Sequence, residues 1–154
     1  IGPASGAFAA GCQPFDAFSS DEGREVTFAD LDASGGPSVG DRRLGVRVLT
    51  DADGNPIGKR YWTVTIDSMG ADGKMAARTV EFLNVFDDGA IFALDQESEP
   101  PAGAVEATET RQVAAQKRGA TIVGGTGAYA GATGTIAFTP DGMKSVYTFD
   151  VTCE

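Results

Sequence analysis

The fold of this chain is decided by the stretch Gly119-Ala-Thr-Ile-Val-Gly124-Gly-Thr-Gly127-Ala-Tyr129-Ala-Gly131-Ala-Thr-Gly134-Thr-Ile-Ala-Phe138. A short apolar run, Thr121 to Val123, ends in a cluster of glycines, and a second β-prone run covers Thr133 to Phe138. Glycine supplies positive φ angles and lets two backbones approach closely. The stretch therefore predicts two strands joined by a tight corner that is built from glycine.

The segment Gly125-Thr-Gly127 also looks like part of a glycine-rich loop that binds dinucleotides. Such a loop needs a strand before it and a helix after it, inside a βαβ unit. Here the residues that follow are β-prone and interrupted by further glycines, and no amphipathic helix follows. We therefore interpret the glycines as a structural corner and not as a nucleotide site.

Length, composition and charge limit the classes of protein to which this chain can belong. The 154 residues fit one domain, the hydrophobic content of 42% predicts a folded core, and the 21 glycines predict many turns. The formal net charge of −10 argues against binding to nucleic acid or to an anionic membrane. No apolar run approaches the ~18 residues of a membrane-spanning helix. We expect neither a nucleic-acid partner nor a membrane partner.

Histidine is absent from the whole sequence. This absence excludes Ser-His and Cys-His catalysis, metal sites built on histidine and the commonest pH switch. Any proton transfer must therefore use carboxylates, tyrosine, lysine, cysteine or water.

Two cysteines, Cys12 and Cys153, lie near opposite ends of the chain. They are compatible with one disulfide in an oxidising compartment, or with two free thiols. A bond between them would stabilise the fold by roughly 4–5 kcal/mol on the loop-entropy model. The chain begins at Ile1 without methionine, which fits a processed protein or a truncated chain. We expect a secreted or extracytoplasmic location.

From residue 25 onward, β-patterned segments recur at short intervals and are separated by Asp-Gly and Pro-Asp-Gly turns. Residues 1–24 are rich in Gly, Ala and Ser, and we interpret them as an irregular N-terminal arm before a single domain, 25–154. The predicted strands are 25–32, 39–50, 57–69, 75–86, 90–97, 105–113, 120–123, 133–138 and 144–153.

Short hairpins at regular spacing predict an antiparallel meander. Such a meander has two exposed edges, and closure into a barrel removes both of them. We therefore predict an all-β fold, an eight-stranded antiparallel up-and-down β-barrel, with an open β-sandwich as the main alternative. Closure would place the last strand beside the first, and would bring Cys153 close to the arm that carries Cys12.

The glycine-rich stretch resembles the Gly-Gly-Thr-Gly-x-(Phe/Tyr)-x-x-Ala-x-Gly signature of dirigent proteins and their relatives in the allene oxide cyclase barrel superfamily. The matching residues are Gly124, Gly125, Thr126, Gly127, Tyr129, Ala132 and Gly134. Val39-Gly40 and Ile57-Gly58 resemble the second strand of this superfamily and the element after its turn. Asp30 matches the Asp of the first dirigent strand. The resemblance implies an eight-stranded barrel, often trimeric, with an apolar lumen.

Departures from the signature narrow what the resemblance implies. Plant dirigents carry charged residues where this chain has Ala128 and Thr133, and the Glu of allene oxide cyclases would fall near Ala29. These differences disfavour radical coupling of the dirigent type and the cyclisation of fatty-acid epoxides. The superfamily also includes bacterial cyclases of spirotetronate biosynthesis, which resemble this chain in the Val-Gly strand, the turn and the Ile-Gly pattern. Because those cyclases need no metal or organic cofactor, the resemblance implies neither here.

Alternation sorts each predicted strand into two faces, because a strand shows one side at every second residue. We expect the predominantly apolar faces to point into the barrel. The candidate site residues on those faces are Asp30, Trp62, Phe82, Asn84, Phe92, Gln96 and Tyr147. Arg42 alternates with Leu44 and Val46, so we also expect it to face the lumen, where it could hold a carboxylate.

Each polar candidate has a functional and a structural interpretation. Asp30 is the candidate general acid, since an apolar lumen favours the protonated form of a carboxyl group. Tyr147 could donate a proton or orient a carbonyl group, or could simply pack in the core with a satisfied hydroxyl. Asn84 and Gln96 either bind a ligand or are satisfied within the protein. Trp62, the sole tryptophan, either fills the core or forms an aromatic wall for an unsaturated ligand.

These features predict a barrel that binds a small hydrophobic, unsaturated molecule in its lumen and guides its cyclisation or stereoselective coupling. Shape, exclusion of water and a few hydrogen bonds would suffice, because constraining a flexible substrate removes several kcal/mol from a barrier. The alternatives are a non-catalytic barrel that binds a hydrophobic ligand or acts in the dirigent manner, and a packed barrel that serves assembly alone. We also expect a homo-oligomer, either a dimer or a trimer.

Overall fold

The computed structural model describes residues 10–20, 22–97, 118–141 and 144–154, and β-strands dominate these ranges. The strands are β1 (Phe15–Ser20), β2 (Glu25–Ala29), β3 (Arg42–Thr50), β4 (Pro56–Met69), β5 (Met75–Phe86), β6 (Gly89–Glu97), β7 (Arg118–Gly127), β8 (Ala132–Asp141) and β9 (Lys144–Cys153). The part of the chain that the structure describes contains no helix that is long and apolar enough to cross a membrane.

Eight of these strands close into an antiparallel barrel, which confirms the predicted fold class and contradicts the open sandwich. Their order around the ring is β1-β9-β8-β7-β6-β5-β4-β3, and β3 meets β1 where Thr50 lies opposite Phe18. The Thr50 hydroxyl donates a hydrogen bond to the Phe18 carbonyl oxygen at 3.3 Å. Closure removes the two free edges that an open sheet of these strands would expose.

The ring includes a segment that the sequence analysis assigned to the irregular arm. Within residues 1–24, Phe15–Ser20 forms β1, and all six of its residues pair with β9. The first predicted strand, 25–32, is shortened to β2, pairs with the beginning of β3 and lies outside the ring. The last strand therefore lies beside β1 and not beside the segment that we expected to be first.

The burial of the two strands reflects this exchange of roles. Phe15, Ala17 and Ser19 share the inward face of β1, and Ala17 and Ser19 are buried. Val26 and Phe28 of β2 are 42% and 57% exposed. The alternation of β2 made it the better strand candidate in the sequence, but β1 is the strand that pairs with both β9 and β3 and completes the ring.

The remaining predicted strands agree with the structure within a few residues at most ends. The exception is β7, which runs from 118 to 127 instead of 120 to 123 because Gly124 and Gly125 continue the strand. The strand predicted at 105–113 lies outside the described residues.

The glycine-rich stretch forms β7, a turn and β8, as predicted. Gly127 and Gly131 have φ angles of +61° and +74°, which L-residues with side chains rarely adopt. A Cβ atom at Gly125 would collide with the carbonyl oxygen of Tyr129. The turn can therefore fold back tightly, and it places the Tyr129 ring inside the end of the barrel, where it is fully buried.

Four aromatic rings fill this end of the barrel, and we call them the aromatic plug. They are Phe15, Phe86, Tyr129 and Phe149. The rings of Phe15 and Phe149 stack with centroids 4.5 Å apart, and Phe86 meets Phe15 edge-on at 5.3 Å. Aromatic pairs in these arrangements add to the stability that burial provides. We call the opposite end, where β3 and β5 begin, the distal end.

Cys12 and Cys153 form a disulfide, which is the first of the two alternatives that the sequence left open. Cys153 ends β9, and Cys12 lies just before β1. Because β1 and β9 are paired neighbours, the bond joins two positions that ring closure already brings together. The bond fits an oxidising compartment.

Candidate functional site

Three rows of directly paired residues line the inside of the neighbouring strands β3 to β6. The row nearest to the aromatic plug is Arg47, Arg60, Asn84 and Ile91. The middle row is Gly45, Trp62, Phe82 and Ala93. The row towards the distal end is Arg43, Val64, Val80 and Asp95. Cationic groups thus lie above and below an apolar belt.

Arg60 is the largest side chain among the fully buried residues, and only 2% of it is exposed. Its Nε donates a hydrogen bond to Oδ1 of Asn84 at 2.7 Å. The Nδ2 of Asn84 donates in turn to the carbonyl oxygen of Ile91 at 3.2 Å. Asn84 therefore connects the guanidinium group to the backbone of β6 and fixes its orientation.

The guanidinium group of Arg60 lies among aromatic rings. Its Cζ is 3.8 Å from the ring centroid of Tyr147 and 5.0 Å from the centroids of Phe82 and Phe138. Such contacts stabilise a cation that has lost its water. Burial lowers the pKa of Arg60 to about 10, and Tyr147 opposes part of this shift. The group is therefore a buried cation at neutral pH.

One nitrogen of this cation has no partner within the described residues. Nη2 of Arg60 is buried and donates no hydrogen bond there. Leaving a buried donor without an acceptor costs about 1–3 kcal/mol. An oxygen atom of water or of a bound molecule would satisfy it.

Tyr147 provides the second polar group of this site. Its hydroxyl shares a hydrogen bond with Oγ of Ser19 at 2.8 Å, and Nη1 of Arg47 donates to it at 3.5 Å. Burial is the largest single influence and raises the pKa of Tyr147, but the charges of Arg60 and Arg47 lower it, and the net pKa is lowered. Hydrogen bonds with Ser19 and Ser145 act in the same direction. Tyr147 is therefore a better proton donor than an ordinary tyrosine.

The structure brings three of the predicted site residues together: Phe82, Asn84 and Tyr147 surround Arg60. Arg60 itself is absent from the predicted set. Its position alternates with Trp62, so the pattern that placed Trp62 inside also carried the signal for Arg60. A charged residue on an apolar face was simply not expected there.

Trp62 lies on the inner face, between the Arg60 row and the distal end. Its ring packs directly over Gly45, where a Cβ atom would overlap it. The Cζ atoms of Arg24 and Arg43 are 5.7 Å and 6.0 Å from the ring centroid. The Trp62 ring therefore packs against the backbone of β3 and has two arginines near its face.

Phe92, Gln96 and Arg42 point away from the interior, contrary to expectation. On β6 the inner face holds Ile91 and Ala93, which are 0% and 2% exposed, whereas Phe92 is 37% exposed. Both faces of β6 are apolar, so alternation alone could not decide between them. The structure settles the choice, because Ala93 and not Phe92 lies in the middle row beside Phe82.

The error at Arg42 has the same origin. Arg42 begins β3 and is exposed, and the outward face continues through Leu44. The inner face of β3 carries Arg43 and Arg47 instead, and it ends at the fully buried Leu49. The prediction that Arg42 faces the lumen is therefore wrong, and the inward arginines of this strand are Arg43 and Arg47.

Asp30 does not face the lumen, because β2 lies outside the ring. Its carboxylate accepts hydrogen bonds from the amides of Ser34 and Gly35 at 3.3 Å and 2.9 Å. Carboxylate oxygens of Asp30, Asp32 and Asp41 lie within 4.8 Å of one another. Each of them accepts hydrogen bonds from backbone amides of the loop between β2 and β3, so the loop's own hydrogen bonding explains the cluster.

Solved structures with this barrel are known, although no family model and no curated protein sequence matches the chain. Pyocyanin demethylase is 20% identical with a TM-score of 0.63, and the alignment covers 90% of this chain and 99% of that one. The Diels-Alderase AbmU from Streptomyces koyangensis is 12% identical with a TM-score of 0.56, over 91% of this chain and 67% of that one. AbnU, an exo-specific intermolecular Diels-Alderase, is 15% identical with a TM-score of 0.52, over 88% and 95%.

This chain shares its barrel fold with these proteins. At such low identities the similarity shows the fold alone, since one fold hosts many activities. The function has to be argued from the interior.

Proposed function

We propose that this protein is a cofactor-independent barrel that binds a small hydrophobic, unsaturated molecule in its interior and guides its cyclisation. The observation that carries the proposal is the buried cation of Arg60, held by Asn84 and Tyr147 among aromatic rings, with Nη2 unpaired. The shared fold with two Diels-Alderases supports the reaction class. The glycine signature supports placing the chain in the allene oxide cyclase/dirigent superfamily as a bacterial member.

Arg60 and Tyr147 would act on a carbonyl group that is conjugated with the reacting double bonds. Donors aimed at the carbonyl oxygen withdraw electron density from the double bond and stabilise negative charge that develops on the oxygen during ring closure. A buried site strengthens this effect, because the local dielectric constant is lower than that of water. Asn84 is a positioning residue, since it acts through Arg60.

The apolar belt, which is the middle row, would hold the substrate in a reactive geometry. Trp62 and Phe82 occupy the middle row beside Arg60, and Phe138 meets Phe82 edge-on at 5.2 Å. A flexible polyene that folds against these rings has its reacting ends close together before the reaction begins. Holding reactants in this way contributes several kcal/mol without any nucleophile.

A panel of synthetic substrates that join a conjugated diene to an α,β-unsaturated ketone tests the proposal. Rates and stereoisomer ratios are measured by chiral chromatography, with and without the protein. We expect faster ring closure that favours one stereoisomer, and a loss of roughly 10²-fold in Arg60→Met and about tenfold or more in Tyr147→Phe. Tyr61→Phe, which removes a hydroxyl from the outer face of β4, should have no effect.

Non-catalytic binding of a hydrophobic ligand is the alternative function. It requires the same apolar belt but no stabilisation of developing charge. Binding of the panel without any acceleration would support this alternative, and failure to bind any member would favour a barrel that serves assembly alone.

We also propose that the protein is a homo-oligomer in an extracytoplasmic compartment. The disulfide supports the compartment. The outer faces of β3 to β6 support association, because they expose the large apolar side chains of Leu44, Tyr61, Phe92 and Leu94. Sedimentation velocity tests for the homo-oligomer, and a protein that stays monomeric at all accessible concentrations would contradict it.

A further inference from the structure

The outer wall of the barrel carries an apolar surface on β3 to β6, which we call the outer patch. It consists of three rows of directly paired residues. The rows are Val48, Lys59, Val85 and Ala90; Val46, Tyr61, Leu83 and Phe92; and Leu44, Thr63, Glu81 and Leu94. Lys59 and Glu81 are the charged members of these rows. A continuous apolar surface on the outside of a protein marks a site of interaction.

The large side chains of the outer patch are open to solvent. Between 37% and 43% of each is exposed for Leu44, Val48, Tyr61, Val85, Phe92 and Leu94. Tyr61 and Leu83 lie side by side on the two middle strands, β4 and β5. Because the outer wall of a barrel is convex, a contact with another molecule is centred on these two strands. Tyrosine is one of the residue types that contribute most to the affinity of protein–protein contacts.

Two charges lie on opposite sides of this centre. Lys59 is two residues from Tyr61 towards the aromatic plug, and Glu81 is two residues from Leu83 towards the distal end. Adjacent strands and four residues of strand length separate the Cα atoms of Lys59 and Glu81 by about 14 Å, which is too far for an ion pair. Within the described part of the chain, neither of them forms an ion pair with any other residue.

This arrangement is complementary to itself. In a contact with two-fold symmetry, residue i of one copy meets residue j of the other, and residue j meets residue i. A two-fold axis in the plane of the outer patch can cross the Tyr61–Leu83 pair at right angles to the line from Lys59 to Glu81. Such an axis brings Lys59 of each copy beside Glu81 of the other and packs the two middle rows together. Opposite charges in these positions fix the register of the contact.

We propose that the outer patch binds a second copy of this chain in a two-fold symmetric dimer, with two Lys59–Glu81 ion pairs across the interface. The inference rests on the proposed homo-oligomer and names its interface. The formal charge of −10 makes two copies repel each other over most of their surface. The outer patch carries one charge of each sign, so contact there brings no like charges together and buries apolar area. An unrelated partner would not require the patch to complement itself.

An exchange of the two charges tests this interface. Sedimentation equilibrium at low ionic strength measures the dissociation constant of the dimer for the wild type, Lys59→Glu, Glu81→Lys and the double variant. Each single variant places like charges together at two symmetry-related positions, so we expect the dimer to weaken at least about tenfold. The double variant Lys59→Glu/Glu81→Lys restores opposite charges, and its dissociation constant should return to within about threefold of the wild type. Added salt should reduce the differences, because it screens exposed charges.

Lys144→Glu is the matched control. It changes the net charge by the same amount as Lys59→Glu, but Lys144 is exposed at the beginning of β9, which lies across the ring from β5. The control should therefore leave the dissociation constant unchanged. Thermal unfolding checks that every variant folds, which we expect because all three substituted side chains are exposed.

The outcomes separate the inference from the proposed homo-oligomer. A dimer that neither single variant weakens, or a double variant no tighter than the single ones, would overturn the inference. Equal weakening by Lys144→Glu and Lys59→Glu would also overturn it, because net charge would then be the cause. A trimer that is unaffected by the exchange would overturn the two-fold interface and leave the homo-oligomer intact. A wild type that stays monomeric would contradict both.

Discussion

At the scale of single residues, Gly134 shows how a missing side chain lets two strands pair. Gly134 lies in β8 opposite Val151 of β9, and its φ angle is +128°. A Cβ atom there would collide with the carbonyl oxygen of Asp150. The glycine signature in the sequence indicated that a side chain is excluded in this region, but it could not show that the obstacle is the neighbouring strand.

Gly134→Ala should therefore destabilise the fold by at least about 2 kcal/mol, because a positive φ angle and a backbone collision act together. Gly119→Ala is the matched control. Its Cβ atom would meet only the Ile136 carbonyl oxygen at an ordinary 3.5 Å, so it should be neutral or slightly stabilising. Urea unfolding measures both, and equal stabilities of the two variants would contradict the assignment.

Two buried tyrosines should titrate in opposite directions from their ordinary pKa of 10.0. The charges of Arg60 and Arg47 lower the pKa of Tyr147 against the effect of burial. Burial raises the pKa of Tyr129, and the Asp88 carboxylate adds to the shift. The difference in tyrosinate absorbance between the wild type and Tyr147→Phe should have its midpoint below pH 10. The corresponding difference for Tyr129→Phe should lie above it.

The same shifts predict how stability depends on pH. Between the lowered pKa of Tyr147 and its ordinary value, the unfolded chain binds more protons than the folded one, so ionisation of this group increases stability as pH rises. Tyr129 has the opposite effect above its ordinary value, because the folded chain then retains the extra proton. A titration midpoint for the Tyr147 hydroxyl at or above pH 10 would show that the buried arginines do not determine its pKa.

At the scale of elements, β1 decides whether the barrel closes. Ala17 points inward and is fully buried, whereas its neighbour Asp16 points outward and is exposed. A lysine at position 17 would place an unpaired charge in the core, so Ala17→Lys should cost more than about 3 kcal/mol. Asp16→Lys should stay within about 0.5 kcal/mol of the wild type. Chemical unfolding of both variants tests the ring position of β1, and equal effects would place this segment outside the ring.

The strands also show where alternation in the sequence predicts the inward face and where it does not. On β9, polar and apolar residues alternate, and the predicted inward face with Tyr147 and Phe149 is correct. On β6, the neighbouring residues Phe92 and Ala93 are both apolar, so the pattern carries no preference. Face assignment succeeds where the two faces differ in polarity, and it fails where only volume distinguishes them.

At the scale of the whole molecule, the Cys12–Cys153 disulfide joins the end of β9 to the segment just before β1, across a sequence separation of 141 residues. Reduction should lower the free energy of unfolding by about 2–5 kcal/mol, because the unfolded chain regains the entropy of a long loop. Thermal unfolding with and without a reductant measures the effect. The double variant Cys12→Ser/Cys153→Ser should match the reduced protein and be insensitive to the reductant. An unchanged melting temperature on reduction would mean that ring closure alone holds the two ends.

The sequence by itself determined the all-β class, the glycine corner and the approximate positions of most strands, because turn chemistry and alternation are local properties. It also limited the chemistry of the site, since a chain without histidine must use other groups. Only the tertiary structure decided that β1 and not β2 closes the ring, and that Arg60 lies beside Asn84 and Tyr147. Both outcomes depend on which side chains pack together in the barrel interior. Strands that are distant in sequence share this interior, so local sequence patterns cannot determine its packing.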